Sequence, residues 1–232
     1  MLITVIHLTR MRSPYVCVAG VEDSGDSIRP VLQSGQLPRS LLTSEGGPFR
    51  LGAVVDIAEP QPRPSAPELE DVVFNPDRTR AVGDVDADEF CGLLDDLADP
   101  LLGSIFGPTT VKKSGTAAAV PQHTGIASLG VLRTNDARLT VQTRFGKPDI
   151  RIHFTDPALG ELAIKVTDLR LWEADQVTPA AEAIERIEHA LDDCYLAVGL
   201  SRAFSVSSYK GVWHWLQINN VFPSSDPLWA RE

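Results

Sequence analysis

Cysteine is scarce in this sequence, and what there is cannot pair by pattern. Cys17, Cys91 and Cys194 are the only three in 232 residues, far apart and without a CxxC spacing. That gives no basis for a disulfide framework or a thiolate zinc site, and it points to a reducing, cytoplasmic compartment. Their expected role is as small buried apolar side chains. Long apolar runs are missing too: nothing approaches the ~20 residues needed to cross a bilayer, so no membrane association is expected. Met1 to His7 lacks a positive n-region and a small-residue cleavage site, and it reads as a strand rather than a leader. Aromatic residues make up only 6%, few for a base-stacking platform. Catalytic signatures are absent as well. The five histidines (His7, His123, His153, His189, His214) form no HxH, HExxH or Cys/His ligand spacing. There is no GxSxG elbow, and neither a P-loop nor a GxGxxG loop. Asp56, Glu70 and Asp71 could meet as a magnesium site, but nothing in their spacing demands it. The reading leans away from an enzyme, with no catalytic residue, metal or cofactor expected.

Charge is the next constraint. The net charge is −10 and hydrophobic residues make up 43%, an ordinary globular composition with an acidic balance. Taken whole, that opposes nonspecific nucleic-acid binding. The distribution changes the argument. Residues 59–99 hold twelve acidic and three basic side chains, a net of −9, whereas residues 110–154 hold seven Lys/Arg and two Asp, a net of +5. A local basic surface therefore fits within an acidic protein.

The chain reads as short strands with few helices. Leu2–Leu8, Tyr15–Val21 and Ser27–Leu32 form a meander, and 33–48 is loop. Phe49–Ile57 is strongly β, with Gly52 marking a bulge or corner. Four prolines between Pro60 and Pro67 predict an extended linker without regular structure. Val72–Phe74 is a short strand. Asp86–Leu97 reads as a helix with Phe90, Leu93, Leu94 and Leu97 on one face and Asp86 as N-cap. Strands resume over 126–133, 137–145, 150–155 and 162–166, and Arg138–Arg144 alternates polar and apolar. A second helix is predicted over 178–191, with Thr178 as N-cap and Pro179 at N1. Residues 195–204 and 212–222 are closing strands. The expected architecture is mainly β, two OB-like small Greek-key barrels: 1–106, a mobile linker 107–124, and 125–232.

Several short motifs recur in a specific order: Thr9-Arg10-Met11-Arg12 before Val16–Gly20, Ser27–Val31, Phe49–Ile57, Glu70-Asp71-Val72, Lys165–Arg170, Val198–Phe204 and Trp215–Phe222. In this order the chain resembles the dual OB-containing domain proteins, a prokaryotic family, over almost its whole length. The resemblance implies two OB-like barrels and nucleic-acid binding, within DNA-modification or antiviral defence systems. The long Ala/Gly-rich linker departs from the family pattern.

Candidate binding residues follow from what an OB barrel needs: aromatic rings for bases and Lys/Arg for phosphates. Arg144, Lys147 and Arg151 flank a predicted hairpin turn and suit phosphate contacts; as solvated turn charges they would need no function. Arg10 and Arg12 lie beside the first strands. Arg29 has a structural alternative, an ion pair with Asp56. Arg170 and Arg202 could each pair with a carboxylate, Asp168 for the former. Late in the chain Arg202, Phe204, Tyr209, Lys210, Trp213 and Trp215 cluster. Trp213 and Trp215 share a strand face opposite His214 and Leu216, and one of the two faces must be core. The sequence is thus read as a nucleic-acid-binding accessory protein, DNA or RNA, with single strands favoured. The alternative is an adaptor whose acidic middle or Trp-rich end docks a partner protein of the same system. A homodimer is compatible with either.

Overall fold

The computed structural model describes residues 1–113, 115–207 and 209–230. Runs of β-branched residues between tight turns build the first sheet. β1 (Leu2–Arg10), β2 (Tyr15–Val21) and β3 (Ser27–Val31) form an antiparallel meander, and β4 (Leu37–Pro38) pairs with the start of β2. β5 (Ala53–Ile57) returns to the free side of β1. Gly52 stands just before β5 rather than inside a strand, at φ +73°. A left-handed turn there favours glycine, and a side chain would also meet Leu228, 3.2 Å from the position of a Cβ. The proline-rich segment is not wholly irregular: it contributes β6 (Gln61–Pro62), which pairs with β7 (Asp71–Val73) at the sheet edge, where proline's missing N–H is tolerated. β7 runs parallel to β3. β8 (Thr79–Asp84) pairs with β5 and gives the order β6-β7-β3-β2-β1-β5-β8.

α1 (Ala87–Leu97) begins where expected. Asp86 caps it, with a reciprocal bond from the Asp86 N–H to Glu89, and Phe90 and Leu94 are fully buried. Then follow β9 (Ala98–Asp99) and α2 (Leu102–Phe106). Residues 107–124, which the sequence reads as a linker, carry β10 (Val111–Lys112) and β11 (Ala118–Pro121), and β11 pairs with a closing strand. β12 (Leu129–Thr134) precedes a meander of β13 (Arg138–Arg144), β14 (Lys147–Asp156) and β15 (Gly160–Lys165). α3 (Ala181–Glu188) starts later than the sequence predicts. Thr178 does not cap it, because the Thr178 hydroxyl and N–H both bond the Asp175 carboxylate; Ala180 occupies the N-cap with no side-chain bond. β16 (Cys194–Leu200) and β17 (Trp213–Pro223) close a second sheet in the order β10-β11-β17-β16-β12-β9, and β13-β14-β15 stand as a third. The fold is mainly β, with two curled sheets that fit two OB-like barrels.

Two apolar cores result. One is built chiefly from β1–β5, β7 and α1 with the loops between them, but it also takes Val131, Leu169, Tyr195, Ala197, Phe222 and Leu228 from later in the chain. Phe222 meets Phe90 edge-to-face at 5.2 Å. The other lies among α2, β11–β17 and α3. The halves are also joined through polar groups. The Asn220 amide bonds the backbone of Leu8 in both directions, and the Arg10 N–H donates to the Thr167 carbonyl. Arg170 and Asp168, both buried, form a two-pronged ion pair, as the sequence allowed. The Arg170 guanidinium also donates to the carbonyls of Val221 and Ala230.

Candidate nucleic-acid interface

Side-chain alternation and strand register decide which residues share a face of the third sheet. Arg138, Thr140, Gln142 and Arg144 of β13 lie opposite His153, Arg151, Asp149 and Lys147 of β14, and Arg151 in turn lies opposite Lys165 of β15. The other face carries Leu139, Ile150, Ile152, Phe154, Leu162 and Ile164, all buried in the second core. One side of this small sheet is therefore apolar and packed, and the other collects Arg138, Arg144, Lys147, Arg151 and Lys165. Arg10 reaches the same region because the end of β1 is tied to Thr167. Its guanidinium stacks on the Trp172 ring, 3.4 Å from the centroid, and donates to the Gln176 carbonyl.

The charges on this face are only partly neutralised. Asp149 accepts from Arg151 at 2.7 Å and lies 3.7 Å from Arg144; a second Arg151 nitrogen donates to the Ala163 carbonyl at 2.6 Å. Burial and then the repulsion of Arg10, Arg151 and Lys147 push the Lys165 ammonium below the ordinary lysine range, with Asp149 opposing. Mutual repulsion of this kind marks a locally positive field that an anionic ligand would relieve. At the β13 edge the face opens into a groove of about 450 Å³ that includes Arg138, Thr140, His153 and Glu188.

The hairpin tip adds a ring that sequence reading passed over. Arg144 pairs with Lys147, so Phe145 and Gly146 form a two-residue loop, with φ of +51° and +74°. Both values belong to the tight turn that fits strand twist, a conformation that costs a bulky residue such as phenylalanine. Phe145 is 98% exposed, so packing does not offset that cost. An exposed aromatic ring thus stands between two cations, Arg144 and Lys147. The signal was present in the sequence as an apolar residue at a turn of otherwise polar type.

The remaining candidates fall elsewhere. Arg12 is exposed in the β1–β2 turn. Arg29 does not pair with Asp56. It bonds Asp71 at 2.5 Å, because parallel pairing of β3 with β7 sets Arg29 opposite Asp71, while Asp56 faces the Met1 amine and Arg80. Arg202, more than half exposed, pairs with Asp71 at 2.7 Å and Glu68 at 3.2 Å. On β17, His214 and Leu216 form the buried face, and Trp213 and Trp215 point outward, part-exposed. The Trp213 indole N–H donates to the Lys210 carbonyl at 2.9 Å. Among the described residues, no three His, Cys, Asp or Glu side chains gather as a metal site, and no helix is long and apolar enough to cross a membrane.

A polar seam runs beneath Arg202. Glu68, Glu70, Asp71, Arg29, His7 and His214 are all buried there. Glu70 accepts from the Ser128 N–H and hydroxyl, and burial raises its pKa above the ordinary carboxylate value. His7 meets the Asn219 amide at 3.1 Å. Burial, and then Arg29, lower its pKa to about 3.

A family model described as a dual OB-containing domain matches residues 3–221. No curated protein matches the chain.

Proposed function

The chain belongs to the dual OB-containing domain family, and from that premise we propose that it is an accessory protein that binds single-stranded nucleic acid across the outer face of β13–β15. The observation that carries this reading is the gathering of Arg138, Arg144, Lys147, Arg151, Lys165 and Arg10, six cations against Asp149 among them, Glu161 farther along β15 and Asp175 near Arg10, beside the exposed ring of Phe145. The cations hold phosphates and the ring stacks on a base, the two devices by which OB-type surfaces bind single strands. A duplex hides its base faces, so the ring favours an unpaired strand. The acidic stretch 59–99 lies in the first sheet, α1 and the edge strand β9 of the second sheet, and none of it belongs to β13–β15.

The test is anisotropy of labelled single-stranded DNA, single-stranded RNA and duplex DNA with the full chain, at low and moderate salt. Single strands are expected to bind best, and engaging four or five phosphates gives a log–log salt slope of roughly −3. No binding of any of the three at low salt refutes the reading.

A protein-docking role is favoured by a different feature. β8 is an edge strand, exposed from Arg80 onward, with Val82 50% exposed. Such an edge offers unpaired backbone groups to a partner's strand. A partner retained after nuclease treatment and lost on Val82→Pro would support it.

A further inference from the structure

Four aromatic rings gather on the outside of β17. Backbone bonds between Phe204 and Trp213 in both directions fold the preceding loop back onto the strand. The Trp215 ring then lies 6.2 Å from Phe204 and 5.1 Å from Tyr209, and Phe204 is 48% exposed. Trp213 is held by its bond to the Lys210 carbonyl. Over its face sits the Lys113 ammonium, 3.0 Å from the ring centroid. The Trp215 indole N–H is shielded and meets no acceptor among the described residues. A stacking surface is thus present with one face covered by the chain's own cation and one donor unused.

Lys113 ties this cluster to the basic face. It belongs to the loop between β10 and β11, which lies along the outer edge of β15, where Thr116 accepts the Ala163 N–H at 2.9 Å. β17 also touches the end of β15, through pairing of Val166 with Ile218. A strand crossing β13, β14 and β15 and leaving over the edge of β15 at Ala163 therefore arrives at Lys113 and Trp213.

We infer that the Trp213 face is a base-stacking subsite on this path, kept closed by Lys113, which a bound single strand displaces from the ring onto its own phosphate. Cation–ring attraction at a surface is weak, and burial already lowers the Lys113 pKa, so exchanging the ring for a phosphate costs little. The inference rests on the nucleic-acid reading above.

The experiment titrates an oligothymidylate of about 12 nucleotides, within the span of OB surfaces, into the full chain, following tryptophan emission and the anisotropy of a labelled copy. Emission is expected to be quenched. Trp213→Leu is expected to bind about tenfold more weakly, and Lys113→Ala to flatten the salt slope by about 0.7. Lys113 lies on a surface loop, so its variant keeps the test valid if Trp213→Leu fails to fold. If both variants bind as the natural chain does, with an unchanged slope, while Phe145→Ala weakens binding, the subsite is refuted and the nucleic-acid reading stands. If the natural chain binds no oligonucleotide, both fall together.

Discussion

The side-chain amide of Asn220 pairs with the backbone of Leu8 as a neighbouring strand would: its oxygen accepts the Leu8 N–H at 2.7 Å and its nitrogen donates to the Leu8 carbonyl at 3.1 Å. Both residues are buried. Asn220→Asp would set a carboxylate oxygen against that carbonyl, and Asn220→Ala would leave two buried backbone groups unpaired. Each such group costs about 1–3 kcal/mol. Both variants are expected to lose roughly 2–5 kcal/mol by urea unfolding, the aspartate more, easing as pH falls and the acid protonates.

The Asp168–Arg170 pair has no solvent to fall back on, with side chains 0% and 1% exposed. Arg170 also binds the carbonyls of Val221 and Ala230, and Asp168 accepts the Val221 N–H. Removing one partner strands a buried charge, at about 3–5 kcal/mol. Asp168→Asn and Arg170→Met are each expected to unfold at clearly lower urea. The double replacement should cost less than the sum of the singles, which a double-mutant cycle reads directly.

His7 makes stability depend on pH. The unfolded chain takes up a proton as pH falls through 6.5, whereas the folded chain stays neutral there until about 3. Between these limits the unfolded state holds more protons, so stability falls with falling pH, by about 1.4 kcal/mol per unit. Glu70 acts in the opposite sense: its raised pKa means that the folded chain keeps a proton just above 4.5 that the unfolded chain has released. His7→Leu is expected to flatten the decline below pH 6.5. An unchanged slope would show that His7 is not its source.

The hairpin tip separates binding from stability. Phe145 is strained at φ +51° and nearly bare, and asparagine accepts that conformation readily. Phe145→Asn is expected to raise the thermal midpoint by up to about 1 kcal/mol equivalent while weakening single-strand binding. Arg144→Glu with Lys147→Glu should leave the midpoint nearly unchanged and make the salt slope less negative by more than about 1. A binding-neutral Phe145→Asn would remove the ring from the interface.

What could be read from sequence was local. The capping box of α1 needs only Asp86 and Glu89, and the alternation of β13 sets Arg138 and Leu139 on opposite faces without help from distant residues. The family resemblance carried the two-barrel architecture. What failed depended on partners far along the chain. Arg29 meets Asp71 through parallel pairing across about forty residues, so nearness to Asp56 in strand pattern was no guide. Thr178 looked like a cap, but Asp175 captured its hydroxyl first. The short strands β10 and β11 were hidden in a small-residue stretch whose β character comes from pairing with β17. Phe145 was missed because an exposed ring has no periodic signature. Arg10 and Lys165 meet only because β1 ends beside Thr167.

Phe222 belongs to β17 yet fills the core laid down by β1–β5, β7 and α1. On the ribosome this has a temporal meaning. The first barrel can form its meander early, but it lacks the ring that packs on Phe90 until β17 has emerged. Until then a partly open apolar surface must survive exposed, the condition in which nascent chains recruit chaperones. Synthesis of the two barrels as separate pieces would give a first piece with a hole where Phe222 belongs.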